Sequence, residues 1–261
     1  MAMPVFGPGE DPGANFSELL RKVGLSPFDG VSPDADLVIP HATTCVALRC
    51  RGGVVMAGDR RATSGNLISH RSMEKVVQAD DFSGVAIAGA AGPAMEMIKL
   101  FQLQVEHYEK VEGQVLSLEG KANQLSMFVR SNLPAAMQGL VVVPIFGGYD
   151  LAERDGRLWD YDVTGGRYEE RDFVATGSGS PHAGTVMRVG WRRDMTPDDA
   201  VRLAARALWE ASDADSATGG PDALRGIYPV VATITAAGWE RIGDPVLASL
   251  YQQIAGEVGA R

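Results

Sequence analysis

Cysteine is nearly absent from the chain: Cys45 and Cys50 are the only two among 261 residues. Five positions apart on one strand, they point to opposite faces and cannot bridge each other. A disulfide-stapled scaffold is excluded, and a reducing, cytoplasmic setting is expected. Positive charge is also in deficit. With 24 Lys+Arg against 33 Asp+Glu the formal charge is -9, which argues against a protein that grips nucleic-acid phosphates. Long apolar runs are missing too. The longest, residues 140–146, falls far short of the roughly 20 residues a bilayer requires. No N-terminal stretch has the cationic start and apolar core of a secretion signal. A soluble, non-exported protein without membrane or nucleic-acid partners is expected. What the chain does have is apolar content: 45% of its residues are hydrophobic, enough for a substantial core in one large domain or two small ones.

Composition shifts near residue 42. The first 42 residues hold six of the 14 prolines and six acidic residues against only Arg21 and Lys22. Such a stretch builds no core, and at most residues 15–23 form one short helix. Residues 1–42 therefore read as a leader, and residues 43–261 as the folded domain.

Residues 44–50 and 53–59 alternate or run apolar around an Arg51-Gly52-Gly53 turn signal, which predicts a hairpin. Residues 75–79 and 84–90 predict a second one around a loop at Asp80 to Ser83, and two hairpins side by side suggest an antiparallel sheet. Met95, Ile98, Phe101, Val105 and Tyr108 recur at helical spacing, as do Leu118, Ala122, Leu125, Val129 and Leu133, with Gly113 between the two series. Strands are expected again at 139–149, 157–162 and 168–176. Two helices follow, the second opening on Thr196-Pro197-Asp198-Asp199, which supplies an N-cap, a proline at the first helical position and acids for the helix dipole. Strands at 227–235 and 239–242 and a helix over 244–255 complete the chain. This order of strands, helix pair, strands, helix pair, strands and helix fits an α+β domain with two antiparallel sheets layered between pairs of helices.

The leader ends Pro40-His41-Ala42 and the domain begins Thr43-Thr44. On local sequence alone these threonines merely start an edge strand. A threonine at a free N-terminus, however, carries its own base, an α-amine with an unperturbed pKa of roughly 7.7–8. Cleavage after the small Ala42 would create that arrangement. Centring the first hairpin on Arg51-Gly52 places Thr43 opposite Arg60 and beside Asp59. Centring the second between Asp81 and Phe82 places Lys75 opposite Ala88 and next to Gly89. Thr, Asp, Lys and a close-approach glycine thus gather at strand ends. Lys75 reads either as a solvated strand lysine or as partly buried beside Asp59, where burial and its charge would keep the amine neutral and Asp59 would keep Lys75 charged; Gly89 either relieves crowding in the sheet or offers its N–H to an oxyanion. The Thr176-Gly177-Ser178-Gly179-Ser180 segment could cradle a phosphate but lacks the Walker lysine and the Rossmann spacing. The Asp213 to Gly220 segment reads as a helix end or loop, without the downstream acid of an EF-hand.

Together, Thr43-Thr44, Gly58-Asp59-Arg60-Arg61, Lys75, Ile87-Ala88-Gly89, Gly177-Ser178-Gly179-Ser180 and Asp215-Ser216-Ala217-Thr218-Gly219-Gly220 resemble the proteasome β subunits, most closely the actinobacterial type. The resemblance covers essentially the whole chain after the leader. It implies a four-layer αββα sandwich, the N-terminal-nucleophile hydrolase fold, made as a precursor that removes its own leader between Ala42 and Thr43. It further implies Thr43 as nucleophile with its amine as base, Lys75 tuning that base and Asp59 orienting Lys75. Ser178, Asp215 and Thr218 would anchor the amine and a proton-shuttling water, and Gly89 would supply the oxyanion donor. By the same resemblance, Thr63, Gly89 and Ala91 pair with an extended peptide, and Ala62, Met73, Val77, Ile87 and Met95 line an apolar first specificity pocket. The implied partners are α subunits, two stacked seven-membered β rings, an ATPase ring and protein substrates tagged by a small modifier; no metal or cofactor is implied. Ala42 and Thr218 depart from the commonest pattern, glycine and serine respectively. Three readings compete: a catalytically silent ring subunit, another N-terminal-nucleophile peptidase or amidase, and a binding module without chemistry.

Overall fold

Side-chain alternation in the first strand explains the layering. In β1 (Thr44–Cys50), Val46 and Leu48 join an apolar cluster with Met187, Leu208 and Leu247, whereas Cys45 and Ala47 join another with Met56, Ala86 and Ile145. Successive strand residues face opposite sides, so β1 covers helices on one face and a second sheet on the other. The computed structural model describes residues 43–64 and 67–259, all within one compact unit, Val38–Arg261. The expected helix over 15–23 and the cleavage position Ala42 lie outside the described residues.

The remaining strands are β2 (Gly53–Gly58), β3 (Ala62–Ser64), β4 (Leu67–His70), β5 (Val76–Asp80), β6 (Ser83–Gly89), β7 (Val142–Asp150), β8 (Asp155–Tyr161), β9 (Arg167–Glu170), β10 (Phe173–Gly177), β11 (Val230–Thr235) and β12 (Gly238–Arg241). The helices are α1 (Ala91–Glu112), α2 (Leu118–Ser131), the short α3 (Leu133–Ala136), α4 (Ser180–Gly190), α5 (Pro197–Ala214) and α6 (Asp244–Gly259). One antiparallel sheet runs β10-β1-β2-β11-β12, the other β5-β6-β7-β8-β9. Helices α4, α5 and α6 pack on the first sheet, α1 and α2 on the second, and a third apolar cluster fills the space between the sheets. The result is the four-layer αββα sandwich. No helix among the described residues is long and apolar enough to cross a membrane.

Local chemistry accounts for the boundaries. Gly113 ends α1 in the left-handed conformation at φ 67°, which glycine adopts without the Cβ penalty. Thr196 caps α5 by accepting from Asp199 N–H, with Pro197 next and Asp198 and Asp199 in the first turn. The apolar run at 140–146 feeds β7, the middle strand of its sheet and buried on both faces. Pro144 is tolerated there because the β8 pairing begins only at Ile145. On the helix side of this sheet, Phe101 meets Phe146 edge-to-face with centroids 5.8 Å apart, a geometry worth about 0.5–1.5 kcal/mol beyond area burial.

Four expectations need correction. The two hairpins belong to different sheets, not to one. The second slips by one residue, because a bulge between Gln78 and Asp80 adds a residue to β5. Lys75 consequently lies opposite Ile87, whose N–H donates to the Lys75 carbonyl at 2.9 Å, and not opposite Ala88. The single strand expected at 168–176 is two strands: β9 pairs with β8 and β10 with β1, so the chain changes sheets at Arg171-Asp172. Four consecutive charged residues, Glu169 to Asp172, suit that exposed corner. The β3–β4 pair and α3 carry little burial, which is why no apolar period announced them.

Cys45 and Cys50 do face opposite sides, and both are buried free thiols. Burial pushes the Cys45 thiol up to about 12 and the Cys50 thiol up to about 11, leaving almost no thiolate at neutral pH. Iodoacetamide at neutral pH is expected to leave the native chain unmodified and to label both cysteines in denaturant, counted by mass. Native labelling at the rate of an ordinary thiol would contradict this packing.

Candidate active site

The site starts where β1 starts. Thr43 is only 4% exposed, and its carbonyl accepts from Ser178 N–H at 2.9 Å, with Ser178 Oγ 3.4 Å away. Gly177, paired with Thr44, permits this approach: its φ is 97°, and a Cβ there would lie 1.9 Å from the Thr43 oxygen. The β1–β2 register, Cys45 opposite Gly58, carries on to Asp59 N–H donating to the Thr44 carbonyl at 3.1 Å. Counting from the turn thus brings Asp59 beside the Thr43-Thr44 peptide, as expected.

Asp59 is fully buried and accepts from four donors. Thr44 N–H at 2.9 Å and Lys75 Nζ at 2.7 Å reach Oδ1. Arg61 N–H at 2.9 Å and Gly219 N–H at 2.8 Å reach Oδ2. Lys75 is 2% exposed and also donates to the Arg61 carbonyl. A carboxylate and an ammonium are tolerated so deep in the protein only when paired and hydrogen-bonded. Lys75 precedes β5 and Asp59 follows β2, so this pair joins the two sheets. Gly58 makes the crossing possible: a Cβ there would sit 2.9 Å from Val76 Cγ2 and 3.0 Å from Cys45 Sγ.

A second carboxylate cluster forms at the end of α5. Asp215 Oδ2 accepts from Ser178 Oγ and from Thr218 Oγ1, each at 2.6 Å, and Oδ1 accepts from Ala217 N–H at 3.1 Å. Partial burial alone would raise the pKa of Asp215, but the hydrogen bonds from Ser178, Thr218 and Ala217, helped by His182, hold it below the ordinary carboxylate range. A carboxyl depressed in the folded state contributes stability above its unfolded pKa, about 3.9, and loses that contribution as pH falls through its lower folded value. Asp215→Asn is therefore expected to flatten the acid side of the stability profile below about pH 4, measured by urea unfolding. An unchanged profile would show that Asp215 does not stabilise the turn.

The substrate-binding expectations fall in several places. Gly89 ends β6 with φ 122°, and a Cβ there would lie 2.1 Å from the Val141 carbonyl. Thr63 and Ala62 lie in β3 and are half-buried, whereas Ala91 opens α1 and is exposed. Val77 and Ile87 belong to the apolar cluster beneath α1 and α2, and Ala62, Met73 and Met95 do not. Met73 is half-buried, with its N–H on the Arg60 carbonyl, and Met95 is 36% exposed on α1.

Three participants had no assigned role in the sequence reading: the Thr44 side chain, the Arg61 backbone and the Gly219 N–H. The hairpin register would have found Thr44, since it faces Asp59. Arg61 and Gly219 gave no signal beyond their neighbours. Among the described residues no His/Cys/Asp/Glu group is arranged to hold a metal ion.

A sandwich of two antiparallel sheets between helix layers is the architecture of the N-terminal-nucleophile hydrolase fold. Residues 39–224 match the family described as Proteasome subunit. The chain is 53% identical to the Proteasome subunit beta of Acidimicrobium ferrooxidans, over 100% of this chain and 97% of that relative. It is 53% identical to that of Acidothermus cellulolyticus, over 87% and 79% respectively, and 55% identical to that of Streptomyces griseus, over 82% and 76%. The chain belongs to the proteasome subunit family, and these relatives are β subunits of actinobacteria.

Proposed function

We propose that the chain is a catalytic β subunit of a proteasome core, a threonine endopeptidase that exposes its own nucleophile. The observation that carries this reading is the convergence of both carboxylate clusters on the Thr43-Thr44 peptide, through Thr44 N–H on Asp59 and the Thr43 carbonyl on Ser178. In the precursor, Thr43 Oγ attacks the Ala42 carbonyl carbon. The C–N bond breaks, the nitrogen gains a proton, and water hydrolyses the resulting ester to free residues 1–42. The new α-amine then serves as general base. It takes the Thr43 hydroxyl proton as Oγ attacks a peptide carbonyl and gives that proton to the leaving amine, and water later cleaves the acyl ester. Lys75, held by Asp59, lowers the amine's proton affinity by its charge. Ser178, Asp215 and Thr218 hold the amine and the shuttling water, and Gly89 N–H receives the oxyanion. Before cleavage the chain is inert, because an amide nitrogen offers no basic lone pair.

Extended peptides would pair with the backbone of Thr63, Gly89 and Ala91, while Ala62, Met73, Val77, Ile87 and Met95 would give an apolar bias at the first subsite. The relatives' name, Proteasome subunit beta, supports assembly with other proteasome subunits. The proposed particle stacks two seven-membered β rings between α rings in the cytoplasm, fed by an ATPase ring with modifier-tagged, unfolded proteins. The deciding experiment is an intact-mass spectrum after co-expression with the α partner. Loss of residues 1–42 from the wild type but not from Thr43→Ala is expected. An uncut wild type in assembled rings overturns the protease reading in favour of a structural ring subunit.

A further inference from the structure

The scheme above leaves one buried hydroxyl unused, and that hydroxyl connects the two carboxylate clusters. Thr44 is fully buried. Its N–H donates to Asp59, its Oγ1 accepts from Gly179 N–H at 3.0 Å, and the same Oγ1 lies 2.5 Å from Thr218 Oγ1. Thr218 Oγ1 in turn lies 2.6 Å from Asp215 Oδ2. The ends of this chain dictate where its protons sit. A peptide N–H only donates and an ionised carboxylate only accepts, whereas each hydroxyl has one proton and two lone pairs. Thr218 must give its proton to Asp215, so Thr44, already accepting from Gly179, gives its own to Thr218. Thr218 is left with a single lone pair and no proton for any other group. The site is tight: a Cβ on Gly179 would fall 2.4 Å from Thr44 Oγ1 and 2.7 Å from Thr218 Oγ1.

We propose that Thr44 is a positioning residue of the threonine-hydrolase reaction, its hydroxyl occupying one lone pair of Thr218 and tying the Gly177–Gly179 turn to β1. The proposal rests on the hydrolase reading above, in which Thr218 anchors the Thr43 amine. Donation from Thr44 occupies one lone pair of Thr218 and draws density from its oxygen, which weakens its hold on the protonated amine and favours the neutral base. The other charged or titratable groups around the chain are Asp59, Lys75, Arg61 and Cys45 on the hairpin side, Asp215 at the end of α5 and His182 on α4.

The test compares Thr44→Val, which keeps the shape and loses the hydroxyl, with Thr44→Ser in processed particles assembled with the α partner. Thr44→Val is expected to keep KM within about twofold and lower kcat about tenfold, the pattern of a lost transition-state alignment. The acid limb of its kcat/KM profile is expected at higher pH, because Thr218 then holds the protonated amine more strongly. Thr44→Ser should restore both. A Thr44→Val acid limb at the wild-type position, or a Thr44→Ser particle as impaired as Thr44→Val, overturns the proposal. Hydrogen exchange of the Gly179 amide separates this inference from the hydrolase reading, since it requires no activity. Protection is expected to fall in Thr44→Val and to persist in Thr44→Ser, and unchanged protection in Thr44→Val refutes the inference. A Thr43→Ala particle that hydrolyses peptides at the wild-type rate would instead refute the hydrolase reading.

Discussion

Particles carrying Thr43→Ala are expected to hydrolyse peptides more slowly by a factor on the order of 10³ or more, since loss of a covalent nucleophile removes the bond-forming step itself. Thr43→Ser, which keeps a hydroxyl on the same backbone, is expected to retain measurable turnover. The comparison is informative because backbone groups on either side of the Thr43 side chain hold the head of β1 in place. The Thr43 carbonyl is held by Ser178 through backbone atoms, and the adjoining peptide N–H by Asp59. Thermal unfolding of Thr43→Ala, produced without residues 1–42 because the variant does not remove them itself, is expected to stay within a few degrees of processed wild type, so that lost turnover reports on chemistry. Steady-state kinetics with a peptide carrying an apolar residue before the scissile bond is the measurement. Equal rates for wild type and Thr43→Ala would remove Thr43 from the reaction.

The second large effect is on stability. Lys75→Met keeps the length of the side chain but leaves the Asp59 carboxylate buried without its ammonium partner, although three peptide N–H groups still reach it. Breaking a buried ion pair from one side costs about 3–5 kcal/mol. For a chain of this size that corresponds to a melting shift of roughly 10 °C, at fixed protein concentration because assembly adds to stability. Removing both charges in Asp59→Asn/Lys75→Met should recover part of this loss. Recovery stays incomplete because an amide NH₂ then faces some of the N–H donors that the carboxylate satisfied. Leader removal and turnover are expected to stay lost in the double variant. A Lys75→Met chain that melts with wild type and still processes itself would mean that the pair neither supports the fold nor tunes the base.

Local signals carried much of this architecture. The Arg51-Gly52 turn and the alternation around it specified the β1–β2 register, because a two-residue turn sets its own pairing and a slip would turn every buried side chain outward. Thr196, Pro197 and Gly113 marked helix ends through chemistry confined to a turn of backbone. The β5–β6 register escaped the same counting. Its loop closes with Phe82 N–H and Ser83 Oγ both donating to Asp80 Oδ1, and the bulge lies just before that cap. The change of sheet after Glu170 escaped as well, since neighbouring β patterns do not state which layer each strand joins.

The candidate site divides in the same way. That Thr43 heads a strand with Asp59 alongside followed from counting along one hairpin. That Lys75 reaches Asp59 from the other sheet, that Ser178 reaches Asp215 and that Thr218 reaches Thr44 are relations between elements apart in the chain. The sequence by itself determined strand faces, hairpin turns, helix caps and the residue types available for chemistry, because these depend on period and on neighbours within a few residues. Only the tertiary structure decided which strands share a sheet, how closely the sheets approach at Gly58 and how closely β10 approaches the head of β1 at Gly177. Those choices are made by which buried faces meet, and that information is spread over the whole chain.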